Sequence, residues 1–421
     1  MGNPQGRPLS EITACRFCGS ASLVDVWSFG KTPLANSYLC AEHLEQPELR
    51  APLVVCRCLD CNLVQLRHTV SPEILFPDYL YVSSTSPSFI KHFDAYAERL
   101  VERFGLSSGD LAVDIGSNDG ILLKPLAARG VRVQGVEPAA RIAQLARDNG
   151  IETISDFFTA QVAEQIAASA GQARVITANN VFAHIADLEE IVSGIKRLLT
   201  PDGVFVFEAQ YLKDLLEKNL FDIVYHEHLF YYHVAPLKRF FAERGMGLFD
   251  VERLPVHGGS IRVFVQLAGG PHVAGAELGA LIAAESAAGL NSNRPYEEFF
   301  QRVEHNKQET RRMLAELKAA GKRIVGYGAP AKATTLLHFY GIGKETLDYI
   351  VDDDKKFKQG RFMPGSHIPI VPPERLAEDR PDYCLILAWN FAEPIVKNNA
   401  EFTNNGGRFM IPAPIPRIIE T

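Results

Sequence analysis

The stretch "LAVDIGSNDGILL", residues 111–123, decides the fold. Residues 111–115 read as a short apolar strand carrying one acid, Asp114. The chain then breaks at Gly116-Ser117-Asn118-Asp119-Gly120, and "ILLKPLAARG" resumes as a helix. A strand, a glycine loop and a helix in that order place the loop at the carboxyl end of a strand. Open α/β sheets bind ligands there. The loop lacks the G-x-G-x-x-G of a dinucleotide site and the Lys-Ser/Thr of a P-loop.

Downstream, "VRVQGVEP" reads as the next strand and ends on Glu137, 23 residues after Asp114. An acid at that point can accept both hydroxyls of a ribose. The helix "AARIAQLARDNG" follows, then "SDFF", where Asp156 offers a polar group and Phe157 an aromatic face for an adenine. "ARVITANNVFAHI" is a strand with a polar exit at Asn179 and Asn180. "PDGVFVFEAQ" is a turn and a strand, and "SIRVFVQLA" alternates with period two. This succession predicts a doubly wound parallel sheet over residues 76–290. Its expected ligand contacts are Asp114, Gly116, Ser117, Asn118, Gly120, Glu137, Asp156, Phe157 and Asn179.

Six of the seven cysteines fall before residue 62. In a long chain whose start, "MGNPQGRPLSEITAC", shows no apolar leader, such clustering points to a metal rather than to disulfides. Cys15 with Cys18, and Cys58 with Cys61, form two C-x-x-C turns. Each turn can aim two thiolates at one ion, and four thiolates close a tetrahedral structural Zn2+ site. Residues 1–75 are therefore expected to form a zinc-binding domain. Cys56 fits that turn less well than Cys58, and Cys40 is expected to be a plain thiol.

Residues 291–421 open with a long charged helix, "YEEFFQRVEHNKQETRRMLAELKAAG". "KRIVGYGAPAKATTLLHFYG" then repeats the order strand, glycine loop, helix, and "LDYIVDDD", "DYCLILAWN" and "RFMIP" supply further strands. A second, smaller Rossmann-like α/β domain is expected. Its glycine loop and Lys332 are candidates to hold a phosphate at a helix N-terminus. A plain glycine turn fits the same residues.

A chain of 421 residues suits two or three such domains. The net charge of −7 carries no like-charged block, which speaks against a general nucleic-acid or membrane-surface binder. The expectation is a cytoplasmic protein, a monomer or weak dimer, with a small-molecule substrate and no nucleic-acid or membrane partner.

One cluster remains, "YHEH" at Tyr225, His226, Glu227 and His228. A helical metal pair spaces its histidines one turn apart, as in H-E-x-x-H. His226 and His228 are two apart and no third ligand is evident, so a metal is not expected here.

The set from Asp114 to Asn180 resembles a class I S-adenosylmethionine methyltransferase. With "CNLVQL", "YHEHLFYY", "HGGSIRVF" and "GYGAPAKATTLL" in this order, the whole chain resembles the sugar C-methyltransferases that act on nucleotide-linked 4-ketodeoxysugars. The antibiotic-sugar C3-methyltransferases are their best-known members. The resemblance implies methyl transfer to carbon, C3 above all, of a dTDP-type ketosugar. It implies His228 as the base, with Glu227 orienting it or accepting a sugar hydrogen bond. Tyr225 and His184 would contact the keto oxygen or shuttle a proton, with Tyr79 entering from the join between segments. Asn180, His257 and Lys332 would lie against the substrate. A zinc-containing RNA methyltransferase is the rival reading, but residues 1–75 hold 6 Lys/Arg against 7 Asp/Glu, which is no RNA platform. A non-catalytic protein retaining the fold is a third.

Overall fold

The computed structural model describes residues 8–75, 82–85 and 87–420. Its centre is a seven-stranded sheet in the order Met246–Leu254, Ser260–Leu267, Leu199–Gln210, Ala173–Asn179, Leu111–Ile115, Arg132–Val136, Thr153–Ile154. All five side chains of Leu111–Ile115 are buried. That uniform burial explains an apolar run without alternation, because helices cover both faces of such a sheet.

The helices between the strands are amphipathic for legible reasons. In Leu188–Leu198, Leu188, Ile191, Val192, Ile195 and Leu198 are buried along one stripe. The Asp187 side chain accepts the Glu190 N–H at 3.1 Å and caps its start. Glu189 and Glu190 lie in the first turn and Lys196 and Arg197 in the last, each matching the helix dipole.

One expectation is corrected here. The sheet is not wholly parallel: Ser260–Leu267 runs antiparallel to both Leu199–Gln210 and Met246–Leu254. Only a short turn, Val256–Gly258, separates Met246–Leu254 from Ser260–Leu267. A parallel partner needs a crossover of about a dozen residues or more.

The cysteine-rich segment forms an antiparallel sheet of Leu23–Pro33, Arg50–Cys58 and Val64–Leu66. Its fourth strand, Phe230–Tyr231, comes from far along the chain and pairs Phe230 with Gln65 and Tyr231 with Val64. The C-terminal sheet runs Ile370–Val371, Ile350–Val351, Ile324–Tyr327, Tyr383–Ile386, Arg408–Ile411, Arg417–Ile418, with the last strand antiparallel.

The long helix Arg294–Ala319 buries Tyr296, Phe299, Val303, Asn306, Thr310 and Leu314, three or four residues apart. That spacing makes a narrow stripe on an otherwise charged helix. The stripe meets the N-terminal sheet at Trp27, whose indole N–H donates to the Tyr296 carbonyl at 3.0 Å. The Trp27 and Phe299 ring centroids lie 4.7 Å apart.

Candidate active site

The loop after Leu111–Ile115 turns through three left-handed residues, Gly116 (φ 66), Asn118 (φ 50) and Gly120 (φ 82). A Cβ on Gly116 would lie 2.4 Å from Val181 Cγ2, so both backbone and space demand glycine there. Glu137 is buried beside this loop. It accepts the Asn118 N–H at 3.0 Å and the Ala139 N–H at 2.9 Å. Burial raises its carboxyl pKa, and those two donors work against the rise. Asp114 is pushed up to about 7, chiefly by burial, although its Oδ1 accepts from Thr177 at 2.6 Å and Asn179 at 3.4 Å.

Ser117 Oγ, Asp119 Oδ1, Asn179 Oδ1 and Asn180 Oδ1 are buried here without a hydrogen-bond partner among the described residues. Buried polar atoms are normally satisfied, so the crevice is shaped for a polar ligand. Phe157 stands on its rim, about half exposed at 46%, and Asp156 accepts the Phe157 N–H. Asn180 is also left-handed (φ 57), and its N–H donates to the Glu208 carbonyl at 2.9 Å. Burial opposes the charge on Glu208, but His92 at 2.9 Å and Arg262 outweigh it and hold the carboxyl below its usual range. Sequence reasoning missed this His92–Glu208–Arg262 set, whose members lie far apart in the chain.

The "YHEH" cluster is a tight turn, neither helix nor strand, closed by the His228 N–H on the Tyr225 carbonyl at 3.0 Å. The turn aims the two imidazoles at different partners. His226 Nε2 meets the Ala51 carbonyl at 3.2 Å, and burial pushes its pKa down to about 4. His228 Nδ1 donates to the Ile223 carbonyl at 2.6 Å. A carbonyl only accepts, so Nδ1 carries the proton and Nε2 is the basic nitrogen. The His228 ring centroid lies 4.0 Å from Tyr225's and 5.0 Å from His184's. Burial pushes His184 down to about 4, which makes it a neutral imidazole at neutral pH.

Glu227 is 3% exposed and pushed up to about 7 by burial. Its Oε1 accepts from Asn36 Nδ2 at 3.1 Å, and Oε2 has no partner among the described residues. Asn36 was not foreseen: "TPLANSY" gives no local signal of a role 191 residues away. Tyr79 lies outside the described residues, and so does the side chain of His257.

Lys332 already has partners within the chain. Its ammonium donates to Asn390 at 2.6 Å, lies 3.3 Å from Asp222 and sits 4.6 Å above the Trp389 ring. Asp222 also accepts the Trp389 indole N–H at 2.7 Å. A partly buried ammonium needs a counter-charge, and Asp222 supplies one. Asp352 accepts the Ala329 N–H of the second glycine loop at 2.6 Å, so that donor too is engaged.

In the N-terminal segment, the Sγ atoms of Cys15, Cys18, Cys58 and Cys61 all lie within 4.8 Å of one another. Cys15–Cys61 and Cys18–Cys58 are each 3.6 Å apart. Tetrahedral Zn–S bonds of about 2.3 Å place sulfurs about 3.8 Å apart, so the four thiols fit one zinc ion. Cys56 is buried in its strand and pushed up to about 11 by desolvation, outside the cluster.

The three parts match three known families. Residues 15–76 match the family described as "Putative zinc binding domain", residues 89–249 "Methyltransferase domain", and residues 255–414 "C-methyltransferase C-terminal domain". The chain is 42% identical over 413 residues to C-methyltransferase NovU of Streptomyces niveus, covering 98% of this chain and 97% of that one. A shorter match, 33% over 111 residues, joins 24% of this chain to 46% of the ubiquinone biosynthesis O-methyltransferase of Actinobacillus pleuropneumoniae serotype 5b (strain L20). Among solved structures, PH0226 protein from Pyrococcus horikoshii OT3 aligns at a TM-score of 0.36 and 16% identity, covering 46% of this chain and 97% of that one.

Proposed function

The chain belongs to the C-methyltransferase family of its full-length relative, with S-adenosylmethionine as methyl donor and a structural zinc site, and from that premise we propose that its acceptor is a nucleotide-linked 4-keto-deoxysugar methylated at C3. The observation that carries this reading is the Tyr225–His228 turn, which sets an imidazole of fixed tautomer beside Tyr225 and His184.

A carbon beside a ketone is nucleophilic only after it loses its α-proton. In our reading His228 Nε2 takes that proton, and the electron pair of the broken C–H bond moves onto the keto oxygen through the enolate. Tyr225 or His184, as neutral donors, stabilise that oxygen. Glu227 accepts a sugar hydrogen bond through Oε2, and its charge favours the imidazolium that forms. Asn180, and with it His257 and Lys332, would contact the sugar nucleotide. We keep Tyr79 in this reading as a second phenol for the reaction. The donor, when bound, supplies an electrophilic methyl group. Glu137 and the 116–120 loop would hold its ribose and amino-acid parts, with Asp114, Asn179, Asp156 and Phe157 around them. The division 1–75, 76–290 and 291–421 belongs to the same reading.

The test is to incubate the zinc-loaded chain and S-adenosylmethionine with dTDP-4-keto-6-deoxyglucose or with total RNA. Mass spectrometry should find one hydrogen of the sugar nucleotide replaced by methyl, and RNA unchanged. Methylated RNA with untouched sugar would overturn the reading.

The cofactor cradle yields a separate expectation. Gly116→Ala should weaken donor binding at least ~10-fold, since the left-handed backbone alone costs about 1–2 kcal/mol and the overlap with Val181 adds to it. Gly150→Ala, also left-handed but with open space around it, should leave the calorimetric affinity as it is.

A further inference from the structure

Residues 34–38 leave the zinc-bearing sheet and run between the catalytic turn and the second glycine loop. Thr334 Oγ1 donates to the Ala35 carbonyl at 3.0 Å, and the Tyr38 hydroxyl donates to the Ala329 carbonyl at 2.7 Å. Between these two ties, Asn36 Nδ2 reaches Glu227 Oε1. We propose that Asn36 is a positioning residue for methyl transfer, holding the Glu227 carboxylate so that Oε2 faces the sugar.

The inference rests on the reading that Glu227 acts in the reaction. Burial penalises the Glu227 carboxylate, and Asn36 is the one side chain set against that penalty among the described residues. An N–H donated to a carboxylate is stronger than a neutral hydrogen bond and favours the ionised form. It also fixes which oxygen is occupied: Oε1 is held, and Oε2 is left buried and without a partner among the described residues. A buried acceptor in that state calls for a donor on a ligand, and a sugar hydroxyl is one.

Other ionisable groups do not replace Asn36. Tyr38, on the same loop, is kept as a neutral phenol by burial and by the charges of Asp352, Glu227 and Asp354. His226, on the turn itself, and His184, beside His228, are neutral at neutral pH, burial pushing each down to about 4. His228 donates Nδ1 to a backbone carbonyl. An aspartate at position 36 would set a second carboxylate against Glu227 and raise its pKa further.

The experiment follows solvent-deuterium exchange of dTDP-4-keto-6-deoxyglucose against pH, using the zinc-loaded full chain and its Asn36→Ala, Asn36→Asp and Glu227→Gln variants. Zinc content and melting temperature serve as checks of folding. Asn36→Ala should lower exchange about tenfold near pH 7 and move the acid limb up by about one pH unit. Asn36→Asp, the same size as asparagine, should move it further, and Glu227→Gln should remove the part of the limb that Glu227 sets, leaving only the loss of the imidazole base on its own protonation. Unshifted limbs in both Asn36 variants, or a uniform loss at every pH, with Glu227→Gln still impaired, would overturn the role of Asn36 alone. Wild-type rates in Glu227→Gln would overturn the reading of Glu227 with it.

Discussion

His228→Ala should abolish exchange of the sugar α-proton with solvent and slow methyl transfer by about a thousandfold, the middle of the range for a removed general base. The expectation follows from the tautomer. The Ile223 carbonyl holds the Nδ1 proton, so the lone pair of Nε2 is the basic one, beside the rings of Tyr225 and His184. His226→Ala is the internal control. That imidazole faces the Ala51 carbonyl of the zinc-bearing sheet and should keep its exchange, read by proton NMR in deuterated water without donor. Equal losses in both variants would place the base elsewhere. In the wild-type enzyme, exchange should fall as pH drops below about 7, because Glu227 becomes protonated there and loses its charge, and because an imidazole that has taken up a proton can no longer accept one from the sugar. Protonation works in that direction because burial has raised this carboxyl, so it loses its charge well above the usual carboxylate range.

The second large effect is expected from the metal. Cys18→Ser or Cys58→Ser should remove zinc, read by elemental analysis, and with it both the fold of the N-terminal sheet and methyl transfer. A structural zinc contributes about 10–16 kcal/mol of apparent binding energy at pH 7. Whole domains are stable by about 5–15 kcal/mol, so little of the unit should survive the loss. Activity follows because Phe230–Tyr231, just beyond the Tyr225–His228 turn, is a strand of that sheet, and the Leu66 N–H donates to the Leu229 carbonyl at 2.8 Å. Cys56→Ser, outside the cluster, should keep its zinc. Retained zinc in Cys18→Ser, or full activity without it, would separate the metal from the site.

Local chemistry was legible in the sequence wherever a single segment carries it. "VDIGSNDG" announced a strand and a loop that turns on glycines, and the two C-x-x-C pairs announced four thiols that meet. What stayed hidden is set by segments that approach only after folding. The antiparallel course of Ser260–Leu267 depends on pairing, which its period-two alternation does not specify. Lys332 reads as a phosphate candidate in a glycine loop, and its pairing with Asp222 and Trp389, 110 and 57 residues away, leaves no local signal. Asn36 lies in a loop of ordinary composition, and its contact with Glu227 exists because Phe230–Tyr231 and the helix Ala331–Tyr340 bring that loop to the turn.

The most direct measurement of the central claim is the position of the transferred methyl. With carbon-13-labelled methyl donor and dTDP-4-keto-6-deoxyglucose, two-dimensional NMR should show the label bonded to a ring carbon adjacent to the ketone, C3 in our reading. Label on C5 would move the target to the other α-carbon and keep the enolate chemistry. Label on a sugar oxygen, or on no sugar atom at all, would contradict the account.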